Sequence, residues 1–125
     1  MRLLLDTHIF LWWLEDSPKL SAAAREKILD ASVVYVSSAS IWEAAIKAGL
    51  GKLDVDVDVI ANEIAVSGFR ELPVSVRHAA MVAHLPELQR DPFDRILIAQ
   101  AMAEPLGFMT ADSALRAYSE QVLLV

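Results

Sequence analysis

Four short apolar runs constrain this chain more than any other feature. RLLLD at 2–6, VVYVS at 33–37, LGFMT at 106–110 and VLLV at 122–125 are short and apolar, without the polar alternation of a half-exposed strand. They suit strands of a parallel sheet covered on both faces. Between them lie helical patterns. One covers 18–30, with Pro18 near its start and Ser21 as a candidate cap; the others are 40–48, closed by Gly49 and Gly51, then 75–84 and 92–103. LDVDVDVI at 53–60 alternates like a half-exposed strand, but ANEIAVSGF behind it looks helical and stops at Gly68. The segment therefore reads as a loop entering a helix near 58–67, and ELPV at 71–74 is a further short strand. Strands alternating with helices place the chain in the α/β class, with a central parallel β-sheet of four to five strands flanked by α-helices.

The 125 residues suit one domain spanning 1–125. Hydrophobic residues make up 55% and mean hydropathy is +0.40, yet no apolar run approaches the roughly 20 residues that cross a bilayer. A soluble protein without membrane contact is expected. MRLLLDTHIF carries an acid inside its apolar stretch and no small-residue cleavage site follows, so it is a poor signal peptide and the expected location is cytoplasmic. The absence of cysteine excludes disulfides and thiolate metal sites. Eleven basic residues against seventeen acidic ones give a charge of −6, the wrong sign for a broad basic surface that holds nucleic acid. Any nucleic-acid role must be local. Four acids gathered around two divalent cations would remove most of that objection.

The acids fall in suggestive places. In DPFDRILIAQA (91–101), a helical turn of roughly 100° per residue puts Asp94 on the stripe of Leu97, Ile98 and Ala101. Asp6 ends the first strand, and Asp112 follows the LGFMT strand by two residues, so both lie at the carboxyl edge, where open parallel sheets bind ligands. Glu43, about one turn into the helix after the second strand, shares a stripe with Ile46 and Leu50 and is expected to face inward. Each acid also has a local explanation. Asp91 before Pro92 is a good N-cap and Asp94 gains from the helix dipole; Ser40 with Glu43 fits a capping box; Asp112 can cap SALRAY; Asp6 can be a turn residue. Caps alone, however, give no reason for carboxylates to lie along apolar stripes at one sheet edge.

Unpaired buried carboxylates are costly, and several together push one another's pKa upward. The basic residues are scattered, with only Arg95 adjacent to a candidate acid, so a divalent cation is the better counter-charge. All-oxygen ligands favour Mg²⁺ or Mn²⁺. Such a site orients and deprotonates a water and stabilises charge on a phosphate oxygen, which is the chemistry of phosphodiester hydrolysis. No serine, cysteine or histidine has a convincing base partner for covalent catalysis.

At this point the sequence resembles the PIN-domain ribonucleases of the VapC toxin type. LLLDTHIFLWWLE, VSSASIWEAAIK, RDPFDRILIAQA and MTAD occur in that family's order and spacing across nearly the whole chain. The resemblance implies that Asp6, Glu43, Asp94 and Asp112 are the acids that bind Mg²⁺ or Mn²⁺ and activate water for RNA cleavage. It implies Thr110 as a supporting hydroxyl, with Thr7, Asp91 and Arg95 as weaker assignments and Asp91 first a helix cap. It also implies a small cognate antitoxin laid across the site and toxin homodimers. Phe10, Trp12, Trp13 and Leu14 either pack the first helix on the sheet, the favoured assignment, or contribute to an interface.

His8 lies near Asp6 and is expected to be solvated or hydrogen-bonded. His78 and His84 receive no function, and Met81, Met102 and Met109 are core. Two other classes compete: a receiver-like Mg²⁺-binding phosphoacceptor, disfavoured because Asp6 stands alone and no lysine ends the LGFMT strand, and a non-catalytic partner-binding module whose acids are only caps.

Overall fold

The apolar runs pair as strands covered on both faces. A computed structural model describes residues 1–125. Its strands are β1 (Arg2–Leu5), β2 (Val33–Ser37), β3 (Arg70–Leu72), β4 (Gly107–Thr110) and β5 (Val122–Leu124). They form one fully parallel sheet in the order β3-β2-β1-β4-β5. The expected α/β class holds, with five strands. The order also separates this fold from a receiver, whose flavodoxin-like order 2-1-3-4-5 would put β3 beside β1. No helix is long and apolar enough to cross a membrane.

Six helices connect the strands: α1 (Thr7–Leu14), α2 (Ala22–Asp30), α3 (Ser38–Gly49), α4 (Val57–Val66), α5 (Val76–Met81) and α6 (Pro92–Ala103). The period of two along β1 divides RLLL between two layers. Leu3 and Leu5 join Ile9, Phe10, Ile28 and Ile64 on one face; Leu4 joins Leu97, Ile98 and Phe108 on the other. All three leucines are fully buried. Phe10 is buried and Trp13 packs against Phe69 at 5.5 Å, while Trp12 and Leu14 lean on the same core. The aromatic cluster thus packs the first helix on the sheet.

Local chemistry sets most boundaries. Ser21 Oγ accepts from the Ala24 N–H at 3.1 Å, so α2 starts at Ala22 and Pro18 lies in the turn before it, later than the expected start. Asp91 accepts from Phe93 N–H at 2.8 Å with Pro92 at the first helical position. Asp56 caps α4 through the Asp58 and Val59 amides, which turns LDVDVDVI into a helix entry. At the other end of α4, Gly68 has φ +80° and lets the Phe69 N–H reach back to Ile64 O, a left-handed C-terminal turn that glycine adopts without steric cost.

Some expectations shift. The third strand is Arg70–Leu72, ahead of the expected ELPV, because Pro73 has no N–H to donate to the ladder. The 75–84 segment divides into α5 and a 3-10 turn, Val82–His84, and SALRAY is a 3-10 turn, Ser113–Tyr118. His78 completes a capping box with Ser75 and holds Glu104 at 2.6 Å through Nε2, a structural role remote from the acids at the sheet edge.

Truncating the central strand tests this layering. Leu4→Ala is expected to lower the unfolding free energy by about 2–5 kcal/mol in urea titrations, with the slope unchanged. Leu29→Ala, at an exposed position, should shift it by less than about 0.5 kcal/mol.

Candidate active site

Pairing of β1 with β4 brings their carboxyl ends together and extends one residue further, through an Asp6 N–H to Met109 O bond of 2.9 Å. Asp6 is buried. Its Oδ1 accepts from the Thr7 N–H and its Oδ2 from the Thr110 hydroxyl, each at 2.7 Å. Thr110 Oγ1 in turn accepts from the Asp112 N–H at 3.1 Å. Thr110 is fully buried, so it acts by holding Asp6 and the Asp112 backbone rather than by facing the cavity. His8 Nε2 accepts from the Ala111 N–H at 3.2 Å. The neutral ring therefore carries its proton on Nδ1, which lies 3.4 Å from Asp6 Oδ2.

A second set of bonds joins α1 to α3. Thr7 Oγ1 lies 2.8 Å from Glu43 Oε1 and 2.9 Å from Ser40 Oγ. One hydroxyl proton serves one acceptor, so it goes to the acceptor-only carboxylate and Ser40 donates to Thr7. The other Glu43 oxygen takes a 2.6 Å bond from Lys47 Nζ. This corrects two expectations. Ser40 is not a cap: α3 begins at Ser38 with Ser37 as its cap, which puts Ser40 inside the helix against Thr7. Nor does Glu43 share a buried stripe with Ile46 and Leu50. Glu43 is 8% exposed, but Ile46 and Leu50 are 41% and 64% exposed, because the buried face of α3 follows Ala39, Ser40, Glu43 and Ala44.

Asp6, Glu43, Asp91, Asp94 and Asp112 line one cavity of about 510 Å³. Local and site roles coincide for three of them, since Asp6, Asp91 and Asp112 each accept a bond from a following backbone amide. Asp94 is the exception. Half-buried on the stripe of Leu97, Ile98 and Ala101, it is pushed up to about 7 by burial, and then by the charges of Asp6, Asp91, Glu43 and Asp112. Burial also raises Asp6, against the opposing pull of His8, Thr110 and Thr7.

No three His, Asp or Glu side chains converge closely enough to hold an ion as they stand. The preformed cage implied by the sequence is thus not closed, because Asp6, Glu43, Asp91 and Asp112 each turn to a hydrogen-bond donor of the protein. The donor chemistry nevertheless fits a hard dication: carboxylate oxygens from four segments, with one acid driven up by burial and then by four like charges.

Arg95, the one basic residue adjacent to a candidate acid in the sequence, does not line the acidic cavity. Its guanidinium staples the preceding loop to α6 through Pro86 O at 2.9 Å and Val82 O at 3.2 Å. The cations on the acidic cavity are Lys47 and Lys52, which the sequence reading passed over; the i, i+4 spacing of Glu43 and Lys47 was the available signal.

These shifts set a pH dependence. Asp94 ionises at its ordinary 3.8 when unfolded and near 7 in the fold. Between those values the folded chain holds a proton that the unfolded chain lacks, so stability in metal-free buffer falls as pH rises through this window. Asp94→Asn should flatten that slope and raise stability at pH 8 by on the order of 1 kcal/mol, allowing for solvent screening. Thermal melts with a chelator, at pH 5 and pH 8, measure both.

The sequence profile described as PIN domain matches residues 3–121. Ribonuclease VapC22 of Mycobacterium tuberculosis is 29% identical over 118 residues, covering 92% of this chain and 90% of that protein. Among solved structures, VapBC2 from Rickettsia felis, bound to a DNA fragment from its promoter, superposes with a TM-score of 0.72 at 16% identity, covering all of this chain and 98% of the other. A toxin–antitoxin complex from Klebsiella pneumoniae gives 0.68 at 18% identity, covering 97% and 95%. FitAcB from Neisseria gonorrhoeae gives 0.65 at 22% identity, covering 90% and 89%.

Proposed function

The chain belongs to the PIN domain family, and from that premise we propose that it is the ribonuclease toxin of a toxin–antitoxin pair, hydrolysing RNA phosphodiester bonds with Mg²⁺ or Mn²⁺. One observation carries the chemistry: Asp6, Glu43, Asp94 and Asp112, from four separate segments, line a single cavity at the carboxyl edge of the sheet. The named ribonuclease among its relatives supports the reaction class.

In this reading Asp6, Glu43, Asp94 and Asp112 hold the metal. When bound, it supplies an activated water and stabilises charge developing on the phosphate. The chain's own residues do the positioning. Thr110 and the Thr7 amide fix both oxygens of Asp6, His8 Nδ1 lies 3.4 Å from the oxygen that Thr110 holds, and Thr7 with Lys47 orients Glu43. Asp94, free of a cap bond of its own, is the acid most readily recruited by a cation.

The partner side of the proposal is a small antitoxin and a second copy of the toxin, in the cytoplasm. The toxin–antitoxin complexes among the structural relatives support the antitoxin partner. An apolar stripe along α3 and its C-cap supports a partner surface: Trp42, Ile46 and Leu50 are all exposed, and Trp42 stacks edge-on against Phe93 at 5.1 Å.

RNA incubated with the protein and Mg²⁺ should be cleaved, and chelation should stop it. Asp94→Asn should reduce the rate by about 100-fold or more, while Thr110→Val, which loosens Asp6 without removing a carboxylate, should cost less. Equal cleavage by Asp94→Asn and the parent would remove Asp94 from the mechanism.

A further inference from the structure

We propose that Lys47 and Lys52 form the backbone-binding arm of this site, holding an RNA phosphate beside the one that is cleaved. The proposal rests on the ribonuclease reading above and adds the residues that let a protein of charge −6 engage a polyanion. The cavity is lined by six acids, Asp6, Glu15, Glu43, Asp91, Asp94 and Asp112, and by only two lysines. A dication at the acids serves the scissile group; it does not serve the next phosphate along the strand. Strand binding to phosphates is dominated by local cation contacts.

The two lysines are brought together by a built turn. In KAGLGKL (47–53), Lys47 lies in the last turns of α3 and Lys52 beyond its end. Gly51 has φ +71°, which permits the Gly51 N–H to bond Ala48 O at 3.1 Å and the Lys52 N–H to bond Lys47 O at 2.9 Å. This is the paired C-terminal closure that a left-handed glycine makes possible. It folds the chain back so that both lysines line the acidic cavity.

An ordinary i, i+4 helix pair accounts for the 2.6 Å contact of Lys47 with Glu43, but it does not account for Lys52, which lies outside the helix. No arginine lines the cavity, and three of them are held elsewhere: Arg95 by carbonyls of the 82–89 segment, Arg77 by Ala103 O, and Arg25 by Asp16 and Ser17 O. Lys47, half exposed, and the exposed Lys52 present compact point charges suited to phosphate oxygens.

The test is equilibrium binding of a labelled single-stranded RNA to the full chain, in an Asp94→Asn background with Mg²⁺, over a series of salt concentrations. Each lysine on a phosphate contributes about 0.7 to the slope of log affinity against log salt. Lys47→Met with Lys52→Met should therefore flatten the slope by about 1.4 and weaken RNAs of different sequence alike. Lys47→Arg should restore most of the slope, and Lys27→Met, on α2, should leave it unchanged. Lys52→Met alone, outside any helix, should flatten it by about 0.7, which keeps the test valid if the double variant folds poorly. An unchanged slope in Lys52→Met and in a folded double variant, with the Asp94→Asn parent still binding RNA, overturns the assignment of the lysines alone. No RNA binding by the native chain or that parent overturns the ribonuclease reading and this assignment with it.

Discussion

Repulsion among carboxylates gathered at one edge of a parallel sheet is the constraint around which this molecule is arranged. Asp94 shows it most directly, its pKa pushed up to about 7 by burial and by four neighbouring acids. A fold that places like charges together gives up stability there, and retains such an arrangement when the charges have a task. Hydrogen bonds carry part of the load. Thr110 and the Thr7 amide bond to Asp6, with His8 close beside it, while Thr7 and Lys47 take the two oxygens of Glu43.

Those same bonds tie the fold to the site. Thr7 opens α1 directly after β1 and reaches across to α3; Thr110 closes β4 and links Asp6 to the Asp112 backbone. One network thus connects the two central strands with two helices, so a carboxylate is positioned by its strand partner as much as by its own rotamer. Asp6, Asp91 and Asp112 also show that capping a backbone amide and lining the acidic cavity are not alternatives. The geometry that lets a carboxylate accept a backbone N–H at a helix or turn start also directs it to the carboxyl edge, where ligands meet the sheet.

Strands and most helix starts were legible in the sequence because they depend on neighbours a few residues away. Ser21, Asp91–Pro92 and Gly68 mark ends by their own hydrogen-bonding and torsional preferences. Features that depend on distant packing were not legible. Ser40 and Glu43 have the spacing of a capping box, yet α3 starts earlier, at Ser38, and α1 supplies Thr7 as the partner that claims both side chains. Ile46 and Leu50 fit a buried stripe by period, but the helix face turned to the core runs through Ala39, Ser40, Glu43 and Ala44. Arg95 is adjacent to Asp94 in sequence and directed to carbonyls in space.

The amino-acid pattern by itself determined the layered α/β class, the central position of acids at strand ends and helix starts, and the resemblance to a nuclease family, because periodicity, caps and strand-end residues are encoded within a few positions. Tertiary structure alone decided which donors each acid accepts from, that no three of them close into a ready cage, and that Lys47 and Lys52 share the acidic cavity. The physical reason is that hydrogen bonds and Coulomb forces act over ångströms in space, and residues 6, 43, 94 and 112 become neighbours only after the sheet has formed.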